Sequence, residues 1–216
     1  MELSLTTTGH SPGMNMIKSA QSDFSDNELW TAFQAGDRLA FEEIYNSSIN
    51  YLTNYAMRVV SDKNLAQDAI QDVFVDLWNN RKNLASVNSI RFYLLKSVRR
   101  DLIRKKIKED KKSPLSSLGK NKIDFQPSYE MLKVLDEESS ERVLKMRKMM
   151  DTLTPKQKEV LYLKYYSNMT NQEISDILEI NMQSVYNNIY RALEVLRDKL
   201  TVFLPWFILN GQTFEI

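Results

Sequence analysis

The chain has 216 residues, 43% of them hydrophobic, with 29 Lys and Arg against 28 Asp and Glu and a formal net charge of +1. Cysteine is absent, which excludes a disulfide framework and a thiolate metal site, and the lone His10, beside Gly9 and Pro12 in a polar segment, makes a poor ligand or catalytic base. No long apolar run follows a basic segment at the start, and nothing reaches the roughly 20 apolar residues of a bilayer span, so a cytoplasmic chain without membrane insertion is expected.

Five Gly and five Pro are few for this length. From about residue 26 to 200 the apolar residues recur at three- and four-residue intervals, so the expected fold is all-α. Residues 1–24 carry Thr, Ser and Asn without periodicity and read as a disordered tail. A first helical domain is expected over residues 25–110. Within it, LAQDAIQDVFVDLW from Leu65 to Trp78 places Ala66, Ala69, Ile70, Val73, Phe74 and Leu77 on a packing face. Asp68, Asp72 and Asp76 follow at i, i+4 on the outside. Like charges so stacked cost roughly 0.2 to 0.5 kcal/mol per pair in an isolated helix, which a basic partner would relieve. The stripe is thus either a docking surface or solvated exterior; no His or Cys joins it to favour a metal.

The next helix inverts the charge. In IRFYLLKSVRRDLIRKKIK, Ile90 to Lys108, one stripe is Leu94, Val98 and Leu102, and another is Lys96, Arg100, Arg104 and Lys108, with Arg99, Lys105 and Lys106 beside it. Phosphates suit such a row better than lipid does, because the apolar stripe is narrow and is needed by the core. Phe92 and Tyr93 either stack on unpaired bases or join the core.

After Lys111, Pro114, Gly119 and Pro127 stand among small polar residues. This disfavours helix and marks residues 111–129 as a flexible linker to a second helical domain at 130–200. There Thr170 and Glu173 form a capping box ahead of Ile174, Ile177 and Leu178. Glu179-Ile180-Asn181 breaks the pattern, and Val185, Ile189, Leu193 and Leu196 resume it on a new axis. Two short helices with a tight turn make a helix-turn-helix, whose second helix leaves Gln183, Ser184, Tyr186, Asn187, Asn188 and Arg191 outside the apolar stripe. A plain helical hairpin is the bland alternative. The last segment, 201–216, is an apolar tail, strongly so at Val202 to Leu209 apart from Pro205, which either folds back on a domain or contacts a partner.

Taken in order, these elements resemble the sigma-70 superfamily of RNA polymerase initiation factors, specifically its extracytoplasmic-function group, over about residues 26–200. AFEEIYNSSINYLTNYAMRVVSDKNLAQDAIQDVFVDLW is similar to the family's second region. LTPKQKEVLYLKYYSNMTNQEISDIL is similar to the opening of its fourth region, with Thr154 as a cap and Pro155 in the first turn. The resemblance implies that Asp68, Gln71 and Asp72 bind core RNA polymerase. It also implies that the loop from Asn83 to Ser89, with Lys96, Arg99, Arg100 and Arg104, holds the melted −10 promoter element as single strand. Gln183, Ser184, Tyr186, Asn187, Asn188 and Arg191 would meet the −35 element in the major groove, and an anti-sigma factor is a further implied partner. Arg100 stands where relatives commonly carry Asn, and Tyr186, Asn187 and Asn188 are neutral where many carry Lys or Arg.

Opening about ten base pairs costs roughly 14 kcal/mol at a mean of 1.4 kcal/mol per step, more than a few captured bases return. A chain of this kind therefore needs the polymerase. It is expected to supply specificity without a catalytic site, cofactor or metal of its own. The rival is a dimeric helix-turn-helix regulator of duplex operators, which leaves the acidic and basic helices of the first domain without a role.

Overall fold

The structure, a computed structural model, describes residues 25–110, Phe125 and residues 148–209, with side chains as far as Arg197 in the final helix. The expected N-terminal tail, most of the linker and the start of the second domain lie outside the described residues. Among those described, the secondary structure is helical and no strand occurs.

The first domain is built from α1 (Asp26–Gln34), α2 (Arg38–Val59), α3 (Lys63–Asn80) and α4 (Ile90–Asp110). The starts of α1, α2 and α3 have local causes. Ser25 and Glu28 form a capping box on α1, Asp37 caps α2 through the N–H groups of Leu39 and Ala40, and Asp62 caps α3 through Asn64 and Leu65. Gly36, at φ +97°, turns the chain between α1 and α2, a conformation that a side chain would strain. The core is the apolar faces of these helices: Trp30, Phe33, Ile44, Leu52, Ala66, Ala69, Leu94, Leu95, Val98 and Leu102 are buried. Aromatic rings join three helices, with Phe33 to Phe41 at 5.8 Å and Phe41 to Trp78 at 5.0 Å between centroids.

In the second domain α5 (Pro155–Leu161) starts at a Thr154–Gln157 capping box with Pro155 in its first turn, and passes into a π turn over Tyr162–Tyr166. α6 (Asn171–Leu178) opens on the expected box of Thr170 and Glu173. It ends at Glu179, which is left-handed at φ 53°. The last helix, α7 (Met182–Leu209), corrects one expected boundary. The recognition helix does not stop at residue 200 but continues through the apolar segment, about 42 Å at 1.5 Å per residue.

The two domains pack against each other, and their buried residues form one continuous cluster that includes Leu94, Leu102, Phe125, Val160, Tyr162, Ile174 and Ile177. Phe125, the one described residue of the linker, is 1% exposed. Its ring lies 6.2 Å from that of Tyr55 and 5.5 Å from that of Tyr162. The linker is therefore pinned between the domains at one aromatic residue.

Candidate polymerase and nucleic-acid interfaces

The acidic stripe of α3 is exposed, as its spacing predicts, but its three carboxylates have different neighbours. Asp68 and Gln71 line a groove of about 810 Å³ between α2 and α3, whose walls include Phe41, Tyr45, Ile49, Phe74, Val75 and Trp78. Tyr45 and Val75 are 40% and 50% exposed, so the polar pair stands beside a substantial apolar surface. Sequence reasoning missed these two. The available signal for Val75 was its place four residues after Gln71, on the outward side of α3. Asp72 meets α4 instead, where Lys105 Nζ lies 2.6 Å from its carboxylate. This hydrogen bond raises the Lys105 pKa. Asp76 lines the opposite groove, between α3 and α4, with Asn80, Arg100 and Arg104.

On α4, Lys96, Arg100 and Arg104 are exposed in a row. Arg104 is held by Asp101, which is 6% exposed and also sits 3.7 Å from Lys105. Arg99 departs from expectation. At 100° per residue it lies around the helix from Arg100, on the side that the second domain covers. Its Nε donates to Glu159 Oε1 at 2.9 Å, and Nη1 donates to the carbonyl of Ile177 at 3.2 Å. Tyr55 donates its hydroxyl to the same Glu159 oxygen at 2.8 Å. Burial works to lower the Arg99 pKa, and the Glu159 carboxylate, Tyr55 and Glu179 together raise it above the ordinary value, so the guanidinium is held charged. In this arrangement Arg99 binds the other domain and is not available to a phosphate. Beside it Arg58 stacks over Tyr162 at 4.6 Å and Tyr166 at 5.8 Å.

Tyr93 also joins the interior, its ring 5.1 Å from Trp30, whereas Phe92 is half-buried beneath Lys96, whose ammonium is 5.4 Å from the ring.

This aromatic junction carries a pH dependence. Burial, aided by Glu159, pushes Tyr55 well above 10, and burial pushes Tyr162 and Tyr51 up to about 12. A phenol whose folded pKa exceeds its unfolded value contributes stability that is complete below about pH 10 and lost as pH rises toward and beyond 12. Urea midpoints measured from about pH 8 upward are expected to hold level and then fall above about pH 10, with a shallower fall in Tyr55→Phe.

On α7, Gln183, Tyr186, Asn187 and Arg191 are exposed, and Ser184 and Asn188 are half-buried. Local hydrogen bonds order this face. Asn181 Oδ1 accepts from the Ser184 N–H at 2.7 Å, Gln183 donates to Asn187 at 3.1 Å, and Asn188 donates to the Ser184 carbonyl at 2.7 Å. The amides are thus oriented before any ligand arrives, which favours paired hydrogen bonds to base edges.

The family description "Sigma-70 region 2" matches residues 44–112, and "Sigma-70, region 4" matches residues 144–196, together more than half the chain. The ECF RNA polymerase sigma factor SigK of Mycobacterium tuberculosis is 24% identical over 168 residues, 77% of this chain and 88% of that protein. Its counterpart in Mycolicibacterium vanbaalenii is 26% identical over 168 residues, 77% and 84% of the two chains. Among solved structures, CnrH in complex with the cytosolic domain of CnrY aligns at a TM-score of 0.54 and 17% identity, covering 82% of this chain and 97% of that one. RpoE in complex with the anti-sigma factor NepR, from Bartonella quintana, aligns at 0.52 and 18%, covering 75% and 97%. These two likenesses concern the fold. The matches span both domains, which a regulator built on a helix-turn-helix alone does not account for.

Proposed function

This chain belongs to the sigma-70 family, as a transcription initiation factor of the extracytoplasmic-function group, and from that premise we propose how its surfaces divide the work. The first domain, residues 25–110, docks on core RNA polymerase with Asp68, Gln71 and Asp72, and the apolar groove beside them supplies the buried area that charges alone lack. Lys96, Arg100 and Arg104 hold the phosphates of the melted downstream element. The loop from Asn83 to Ser89 presents polar side chains to its bases. The second domain reads the upstream element with Gln183, Ser184, Tyr186, Asn187, Asn188 and Arg191. Arg99 serves the contact between the domains until they separate. An anti-sigma factor is a fitting partner, since both solved relatives are complexes with a second protein.

The observation that carries this reading is the exposed cation row on α4 in the same chain as an exposed, pre-oriented amide face on α7. One surface suits phosphates of any sequence and the other suits base edges. The decisive experiment is transcription with purified core polymerase on fragmented genomic DNA, with and without the chain. New discrete start sites that need the chain are expected. Specific duplex binding by the chain alone, with no polymerase binding, would sink the proposal.

The phosphate role has its own test. Replacing Lys96 and Arg100 by Ala is expected to weaken promoter binding by the holoenzyme about equally across promoters, and to reduce the slope of log K against log salt by about 1.4, at roughly 0.7 per single-strand phosphate. A change confined to one base position would contradict it.

A further inference from the structure

Helix α1 lies upstream of the residues that match the region 2 description, and its sequence marks it only as an amphipathic packing element. Its polar atoms make three contacts of one kind. Asp26 Oδ2 accepts from the backbone N–H of Ile90 at 2.9 Å. Trp30 donates its indole N–H to the carbonyl of Ala85 at 3.0 Å, and Gln34 donates its amide to the carbonyl of Leu84 at 2.5 Å. The three residues stand at i, i+4 and i+8, so a single face of α1 makes all the contacts. Two of the targets, the carbonyls of Leu84 and Ala85, lie on the backbone that joins α3 to α4, and the third is the first N–H of α4, where that backbone ends.

That segment has no regular structure of its own after the 3-10 turn Arg81–Asn83, and resumes helix only at Ile90. Its carbonyls have no ladder to enter, and α1 satisfies two of them from behind. The donors are themselves fixed. Trp30 is fully buried against Phe33 and Tyr93, and the Ser25–Glu28 capping box secures the start of α1. Within the same segment Asn83, Ser86 and Asn88 are exposed. The backbone is held while the polar side chains remain available.

We propose that α1 is a brace that presets this loop, with Trp30, Gln34 and Asp26 as positioning residues for the readout of an unpaired promoter base by Asn83, Ser86 and Asn88. The proposal rests on the reading above that the loop holds the single strand. A loop ordered during folding does not have to be ordered again when a base arrives, and its hydrogen-bonding groups stay in register with that base's edge. Base selectivity is therefore the property that depends on the brace, more than affinity for polymerase.

The test uses the full chain assembled with core polymerase, on its promoter and on versions altered singly through the downstream element. Trp30→Phe removes the indole donor and keeps a ring in the core. Gln34→Leu removes the amide at a half-buried site, and serves alone should the tryptophan variant fold poorly. A photo-cross-linking residue replacing Ser86 reports whether the loop meets the unpaired strand. The expected result is a cross-link in the open complex, with variants that bind polymerase normally but discriminate about tenfold less at one or two downstream positions. A cross-link together with discrimination within about twofold of the parent overturns the brace and leaves the loop's role standing. Absence of the cross-link overturns the loop reading and the brace with it.

Discussion

Replacing both Asp68 and Asp72 with Lys is expected to weaken binding to core RNA polymerase at least 100-fold, about 2.7 kcal/mol, while the chain stays folded. Both carboxylates are exposed on α3, so reversing their charge disturbs no core residue. Within the chain the loss is the Asp72–Lys105 pair, and its aspartate is 54% exposed. Exposed pairs contribute roughly 0 to 1 kcal/mol, which sets the stability change well below the binding change. A basic partner surface would meet two cations in place of two anions, and like charges across an interface cost several kcal/mol. Fluorescence anisotropy of the labelled chain with core polymerase checks this, and the defect should shrink as salt rises. Unchanged affinity would remove Asp68 and Asp72 from the interface and leave the neighbouring apolar groove as the anchor. Separate measurement of Val75→Ser, on that groove's rim, tells the two contributions apart.

Glu159→Ala is expected to be the most damaging single substitution at the junction of the domains, destabilising the chain by about 3 to 5 kcal/mol. The Arg99 and Glu159 side chains are 10% and 4% exposed, and the alanine variant leaves a buried guanidinium without its counter-ion and the Tyr55 hydroxyl without its acceptor. A shift of roughly 10 °C in the thermal midpoint follows for a chain of this size. The same change favours separation of the domains, because exposure to water is the cheapest way to solvate Arg99. Small-angle scattering should therefore report a larger radius of gyration below the unfolding transition. The informative control replaces the network as a unit, with Arg99→Met, Glu159→Leu and Tyr55→Phe together. Removing the three side chains together leaves no buried charge, and only the Ile177 carbonyl loses a donor, so this variant should recover most of the lost stability. Recovery without compaction would show that the polar network specifies the docked arrangement and that apolar packing around Phe125 does not.

The separation of helices, the cap at Thr154, the capping box at Thr170, the break at Glu179 and the outward faces of α3, α4 and α7 were legible in the sequence, because each depends on spacing within a single helix. A periodicity of 3.6 residues fixes which side chains share a face, so the exposure of Asp68, Asp72, Lys96, Arg100, Arg104 and Tyr186 followed from position alone. The family resemblance was equally local, carried by short motifs and their order.

What a face meets is a different matter, and only the tertiary structure decided it. Arg99 belonged to a basic cluster by sequence, yet a carboxylate sixty residues away claims it. No spacing within α1 singles out Trp30 and Gln34, whose hydrogen-bond acceptors lie 55 and 50 residues further on. Phe125 sits in a stretch whose Pro and Gly content disfavours helix without saying whether one ring is buried. The apolar run after Leu200 carried no signal that its backbone would continue the recognition helix. Periodicity orders neighbours along one axis, whereas these contacts depend on the relative placement of several axes, which no repeat within any one of them encodes.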